Sequence, residues 1–350
     1  MDTISHGFAG SILARSAAER PAAWAALVLG AVSAMVPDLD FLFFSNRMDY
    51  LRDHRSWTHS WLVLPFLALG LALVVKIFAR RTRLAILWIF AAIGIASHIL
   101  FDWATSFGIM FWTPVTRRRF ALDWLFILDP FFTGISLGTL VLTLVFRNGA
   151  RRIAIVGSGL LVAYIVFCAV LHARALAVWE RLDRPPAGVR VAVLPQFLSP
   201  FRWLGLAESG NEIRVAFFDI GPFAKGVEDP QPPKRWRDVL QSLSDFYPPP
   251  SRAKVATYEK PPDSAVLEAA RRLPDWQIYL AFARFPLETV YPEKDGGATV
   301  IIQDLRFLPF FTGPWEPDQE RGLRRQPFVY RVRFDRALSA VERDFVRGGR

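Results

Sequence analysis

Four short stretches among the first 102 residues concentrate imidazoles and carboxylates. They are Ser5-His6-Gly7, Val36-Pro37-Asp38-Leu39-Asp40, His54-Arg55-Ser56-Trp57-Thr58-His59-Ser60 and Ser97-His98-Ile99-Leu100-Phe101-Asp102. Imidazole nitrogen and carboxylate oxygen together suit zinc, manganese or iron. His98 and Asp102 lie four apart in an apolar, helical context, which projects both from one face about one turn apart. Asp38 and Asp40 follow Pro37, where a helix is expected to end, so two carboxylates share a turn. Thr58 is expected to cap the next helix, which would put His59 in its first turn. The candidate ligands are therefore His6, Asp38, Asp40, His59, His98 and Asp102, for one or two divalent ions, zinc first and manganese or iron as alternatives. Two ions bridged by an aspartate fit this number of ligands.

A metal ion lowers the pKa of its water toward about 7, so the expected chemistry is metal-assisted hydrolysis. Asp38 or Asp40, whichever does not ligate, would accept the proton. His54 and Arg55 stand beside them as further catalytic candidates, and the forked guanidinium suits an anionic oxygen. Each piece has a plainer reading alone. A single histidine at a membrane face commonly meets headgroups, and two aspartates after a proline commonly mark a solvated turn. Asp129-Pro130 reads as a helix start, and Arg117–Arg119 as a charge run facing water or headgroups. His172, at the end of its span, keeps the plainer reading. The conjunction is what is specific: His6, His54, His59 and His98 with Asp38, Asp40 and Asp102, in four segments that thread to one membrane face.

The elements that must position these residues are apolar. Of 350 residues 52% are hydrophobic, and they are unevenly placed. Ile4–Ala14 and Pro21–Pro37 read as a helical hairpin, followed by spans at Ser60–Phe78, Leu84–Phe101, Leu125–Phe146 and Ile153–Leu171. The expected fold is an α-helical membrane bundle, a hairpin plus about four spans, over 1–172, followed by a β-rich α+β soluble domain over 173–350. In the tail, Val189–Leu194, Glu212–Phe218, Gln277–Arg284, Ala298–Leu305 and Phe328–Phe334 read as strands. Ser264–Leu273 reads as an amphipathic helix, and Asp229–Lys234 and Pro248–Pro250 as Pro-rich loops.

The net charge is +10. It does not imply nucleic-acid binding, because Arg80, Arg81 and Arg83, and Arg147, Arg151 and Arg152, directly flank apolar spans and act as a topology signal. The lone cysteine, Cys168, excludes an intrachain disulfide. The N-terminus has no basic region before its first apolar segment and does not read as a cleavable signal. Threading the spans puts Lys76, those six arginines, Arg15 and Arg20 on one side. Arg47, Arg52, Arg55 and Arg117–Arg119 fall on the other, with the histidines and aspartates. Positive-inside reasoning places the site and tail outside the cytoplasm.

The four quoted motifs resemble the YdjM/DUF457 family of membrane-bound metal-dependent hydrolases, over roughly the first half of the chain. That family is in turn distantly similar to zinc-dependent phospholipase C and P1-type nucleases, helical enzymes with a zinc cluster of His and Asp. The resemblance implies that His59, His98, Asp102 and one of Asp38 or Asp40 hold a first metal. It implies that His6 helps hold a second, shared through Asp102. This chain lacks a second His-rich helix for a third zinc. A bacterial inner membrane and a phosphoester or lipid-linked substrate follow as expectations. Two other classes remain open: a non-enzymatic membrane anchor or assembly protein whose tail carries the function, and a transporter. The transporter would need ionisable groups along the bundle's depth, and Ile153–Leu171 has none.

Overall fold

In the computed structural model, residues 2–19, 22–224, 246–308 and 326–346 are described. The expected helix start at Pro21 and the Pro-rich loop 229–234 lie outside the described residues. The chain forms two compact units. One comprises Met1–Ser45, Asp53–His172 and Phe197–Pro200, the other Asn46–Arg52, Ala173–Gln196 and Phe201–Arg350.

The first unit is helical. Helix α1 spans Thr3–Ala17, started by Asp2, whose carboxylate accepts the Ser5 N–H. Helix α2 spans Ala23–Met35 and passes directly into a 3-10 segment, Val36–Phe43. Glycine lets these elements touch backbone to backbone. A Cβ on Gly10 would lie on the Gly30 carbonyl and on Ala34, and one on Gly94 would strike Ser33. The short helix α3, Arg47–Asp53, is followed by a one-turn 3-10 segment, Trp57–His59. Helix α4 is Leu64–Phe78 and α5 is Leu84–Trp103. Helix α6, Pro130–Val145, is capped by Asp129, which accepts from the N–H groups of Phe131 and Phe132 at 2.9 Å. Helix α7 runs Ala150–Asp183.

Three helical stretches are long and apolar enough to cross a membrane: Ala23–Phe43, Leu84–Trp103 and Ala150–Asp183. A fourth arises if Arg47–His59 and Leu64–Phe78, bent by 75°, form one broken span. The helical membrane bundle is thus present, with three revisions. The expected hairpin arm Pro21–Pro37 continues through the 3-10 segment to Phe43 and is itself long enough to span. The expected span Leu125–Phe146 is instead a shorter apolar helix of 16 residues that begins only at Pro130, because Asp129 and the proline start it there. Thr58 does not cap α4; it lies in the 3-10 turn, and Ser60–Val63 intervene before the helix starts at Leu64. Apolar side chains such as Phe66, Leu73, Val145 and Val156 are exposed along α4, α6 and α7, as lipid-facing helices require.

The second unit carries two four-stranded antiparallel sheets. The first, in the order β1 (Arg190–Gln196), β2 (Ser199–Ser209), β3 (Glu212–Asp219) and β4 (Ala256–Glu259), buries Leu204, Leu206, Val215 and Phe217. The second has β5 (Pro286–Pro292), β6 (Ala298–Asp304), β7 (Tyr330–Phe334) and β8 (Ala340–Phe345), each paired with the next. Helix α8, Ala265–Arg271, is capped by Ser264, as the amphipathic reading expected. The stretch Gln277–Arg284, read as a strand, is instead the body of helix α9, Pro274–Phe282. Pro274 starts that helix, and Trp276, Tyr279 and Phe282, three apart, bury one helical face.

Candidate metal centre

The site is assembled from the ends of three elements. The 3-10 segment after α2 contributes Asp38, the turn Trp57–His59 contributes His59, and the last turns of α5 contribute His98 and Asp102. One ligand atom from each of these four residues lies within 4.8 Å of all the others. His59, His98 and Asp102 are completely buried, and Asp38 is 7% exposed.

Their outer partners settle what the four atoms are. His98 Nδ1 faces the Ala34 carbonyl at 2.7 Å and must donate to it, which leaves Nε2 as an acceptor. The Thr58 hydroxyl donates to Asp40 Oδ2 at 3.3 Å and accepts from His59 Nδ1 at 2.9 Å, so His59 Nε2 is likewise an acceptor. These two nitrogens stand 2.9 Å apart. Asp38 Oδ1 is 3.5 Å from His98 Nε2 and 3.8 Å from His59 Nε2; Asp102 Oδ2 is 3.5 Å and 3.4 Å from the same atoms. Two lone pairs and two carboxylates therefore converge. Four acceptors facing one another repel unless cations offset them, and the Arg55 guanidinium, 2.9 Å from Asp102 Oδ2, sets one positive charge against two carboxylates. The edges of a tetrahedral zinc site with bonds near 2.1 Å are about 3.4 Å; the four imidazole–carboxylate separations, 3.4 to 3.8 Å, lie near that value, and the imidazole–imidazole separation of 2.9 Å is shorter. The donor set and its dimensions fit a divalent ion.

Backbone geometry brings in Arg55. It adopts φ +64°, a left-handed conformation rare for a long side chain. Its amide donates to Asp40 Oδ2 at 3.3 Å and its carbonyl accepts from Met110. The side chain is 2% exposed. Its Nε sits 2.9 Å from Asp102 Oδ2, a charge contact without an aligned N–H, and Nη1 donates to Thr105 Oγ1. The anionic oxygen expected for Arg55 is therefore supplied by the protein itself: Asp102.

His6 and Asp40 stand outside the group of four. His6 Nε2 is 3.1 Å from Asp102 Oδ1, and its ring stacks on His98 with centroids 3.9 Å apart. Its Nδ1 is buried with no hydrogen-bond partner among the described residues. Asp40 Oδ1 is 2.7 Å from His54 Nδ1, so this carboxylate orients His54 and, through Thr58, His59. Of the two aspartates left open by the sequence, Asp38 joins the ligand group, and Thr3 donates to its other oxygen at 2.8 Å. Among the described residues one such group is formed.

Residues 1–175, which hold all four motifs, match the family described as YdjM inner membrane protein. The chain belongs to that family. A curated relative, the uncharacterized protein YfhP of Bacillus subtilis (strain 168), is 25% identical over 139 residues, covering 37% of this chain and 42% of YfhP. The chain thus spans about two fifths of the length of the curated relative it matches. No solved structure matches. Family membership and the three long apolar helices support a membrane location.

Sequence reasoning missed three contributors to this family member's site. The Ala34 carbonyl has no side-chain signature. Thr58 carries the Asp40–His59 connection in place of a helix cap, and Thr105 holds Arg55. Thr105 lies three residues beyond Asp102, and its hydroxyl donates to the Asp102 carbonyl at 2.8 Å, a local pattern open to inspection once Asp102 is suspected.

Proposed function

We propose that this protein is a membrane-bound, metal-dependent hydrolase acting on a phosphoester. The convergence of Asp38, His59, His98 and Asp102, with the Nδ1 of each imidazole engaged by an outer partner, is the observation that carries the reading. A divalent ion held by that group, zinc by donor type, would supply Lewis-acid activation of water near neutral pH. The chain's own residues do the rest. Ala34 and Thr58 orient the two imidazoles, a kind of support whose loss costs ligation dearly. Arg55 offsets the Asp102 charge inside the protein, and His6 steadies the other Asp102 oxygen. The Asp40–His54 pair is the candidate for taking up and returning a proton at the His54 ring, which lies 5.8 Å from the His59 ring, centroid to centroid. The phosphoester is suggested by the membrane location and by the resemblance to metal-dependent hydrolases. The distribution of arginines favours an extracytoplasmic site in an inner membrane.

The test is metal analysis of the purified full chain, paired with turnover of bis(p-nitrophenyl) phosphate. Wild type is expected to carry about one divalent ion per chain and to cleave the ester, and His98→Ala to lose both. Wild type without bound metal, or His98→Ala with full turnover, would overturn the reading.

A further inference from the structure

The ligand group is closed on most sides. His6, His59, His98 and Asp102 are fully buried, and only Asp38, Asp40 and His54 keep a few per cent of exposure. One approach is past the 3-10 segment Val36–Phe43, where Asp38 and Asp40 keep 7% and 6% exposure. That segment turns Asp38 and Asp40 inward and the following side chains outward: Phe41 is 52% exposed, Leu42 66% and Phe43 84%. Three consecutive large apolar groups left in water are costly. They also end the membrane-spanning stretch Ala23–Phe43, so they stand where hydrocarbon meets headgroups.

Arginines cluster near His54 as well. Phe44 packs edge-on against the His54 ring at 6.5 Å, and Phe107 meets that ring from another direction at 5.6 Å. The Arg119 guanidinium lies over Phe107 at 5.7 Å, and Arg117 pairs with Asp53, the neighbour of His54. Arg118 is exposed between them. Phe44, which follows the exposed run Phe41–Phe43, and Phe107, which carries Arg119, thus meet at the same histidine.

We infer that the substrate is an anionic glycerophospholipid entering sideways from the bilayer, its acyl chains against Phe41–Phe43 and its phosphate drawn toward Arg117–Arg119 and the metal group. This deepens the hydrolase reading and rests on it. The polarity of the mouth matches such a molecule end for end, since basic residues at a membrane face attract anionic headgroups. A water-soluble ester has no use for the exposed run Phe41–Phe43.

The test uses the full chain, metal-stripped, in phosphatidylcholine nanodiscs containing phosphatidylglycerol with a photoreactive acyl chain. Crosslinks mapped by mass spectrometry are expected to concentrate on residues 39–44. Unlabelled long-chain phosphatidylglycerol should compete and glycerol 3-phosphate should not. Phe41→Ser/Phe43→Ser should cut that labelling at least fivefold while leaving labelling of α6 and α7 unchanged, which also reports that the variant is folded. Labelling spread evenly over the lipid-facing helices, or competition by glycerol 3-phosphate, would each overturn the inference. With metal restored, wild type should cleave the long-chain lipid with at least tenfold higher kcat/KM than bis(p-nitrophenyl) phosphate. Cleavage of the soluble ester alone refutes the lipid and keeps the hydrolase. Focused labelling with no cleavage of either ester refutes the hydrolase and keeps the lipid-binding mouth.

Discussion

Both units of this protein bury carboxylates, and they treat them in opposite ways. In the β-rich unit Asp304 is surrounded by donors: the amides of Arg284, Phe285 and Arg306, and Arg306 Nε at 2.7 Å. Glu288 likewise accepts from Arg271 at 2.6 Å and from Trp276 Nε1 at 2.8 Å. Each network is closed, with positive or N–H groups supplied by the fold. In the helical unit Asp38 and Asp102 are turned toward imidazole nitrogens whose protons are committed elsewhere. A buried carboxylate met by donors is structural. Thr3 and Arg55 give Asp38 and Asp102 partners too, but one oxygen of each also faces imidazole nitrogens, and that surplus of acceptors separates a candidate site from a core polar network.

Matched substitutions test the distinction. Asp102→Ala and Asp304→Ala each strand a buried arginine, and each should destabilise its unit by about 3–5 kcal/mol. Thermal proteolysis should register both losses, but only Asp102→Ala should abolish metal content. If Asp304→Ala stripped the metal as well, the contrast between the two networks would collapse. Chelation comes next. Removing an ion present at about 100 times its Kd withdraws about 2.7 kcal/mol of stabilisation, and proteolytic cleavage sites should then open in the helical unit while those of the β-rich unit are unchanged. Thr58→Val removes the hydroxyl between Asp40 and His59 without touching a ligand. About 10- to 100-fold weaker metal affinity is expected by competition titration, with the fold intact by circular dichroism. Gly70→Ala in α4 has nothing within 4 Å of the added methyl, and should change stability by no more than about 1 kcal/mol with metal content unaltered.

How much of this was legible beforehand depends on whether a feature is local. His98 and Asp102 are four apart on one helix, so their shared face follows from helical geometry alone, and both prove fully buried. Strands β3 and β6 lie close to the expected Glu212–Phe218 and Ala298–Leu305, because their β-branched and aromatic runs are uninterrupted. Strand β2 escaped notice: Pro200 and Gly205 break its pattern, and Gly205 is required because a Cβ there would enter the Trp179 ring. Strand β5 is bounded by prolines and β8 is mostly charged and exposed. In the site, the choice between Asp38 and Asp40 was not readable, since both follow Pro37 within three residues. It is made by Thr58, Thr3 and the Ala34 carbonyl, partners distant in sequence or lacking a side chain.

The glycine contacts of α1, α2 and α5 bear on time as well as on position. With backbone lying on backbone at Gly10, Gly30 and Gly94, no long side chain stands at these crossings to rotate and make a gap. The elements carrying His6, Asp38 and His98 therefore cannot part by small fluctuations. An ion seated among them would leave only when the 3-10 segment Val36–Phe43 frays, so its residence would be governed by the rate of that local opening. Exchange of bound metal should accordingly be slow even where its equilibrium affinity is modest.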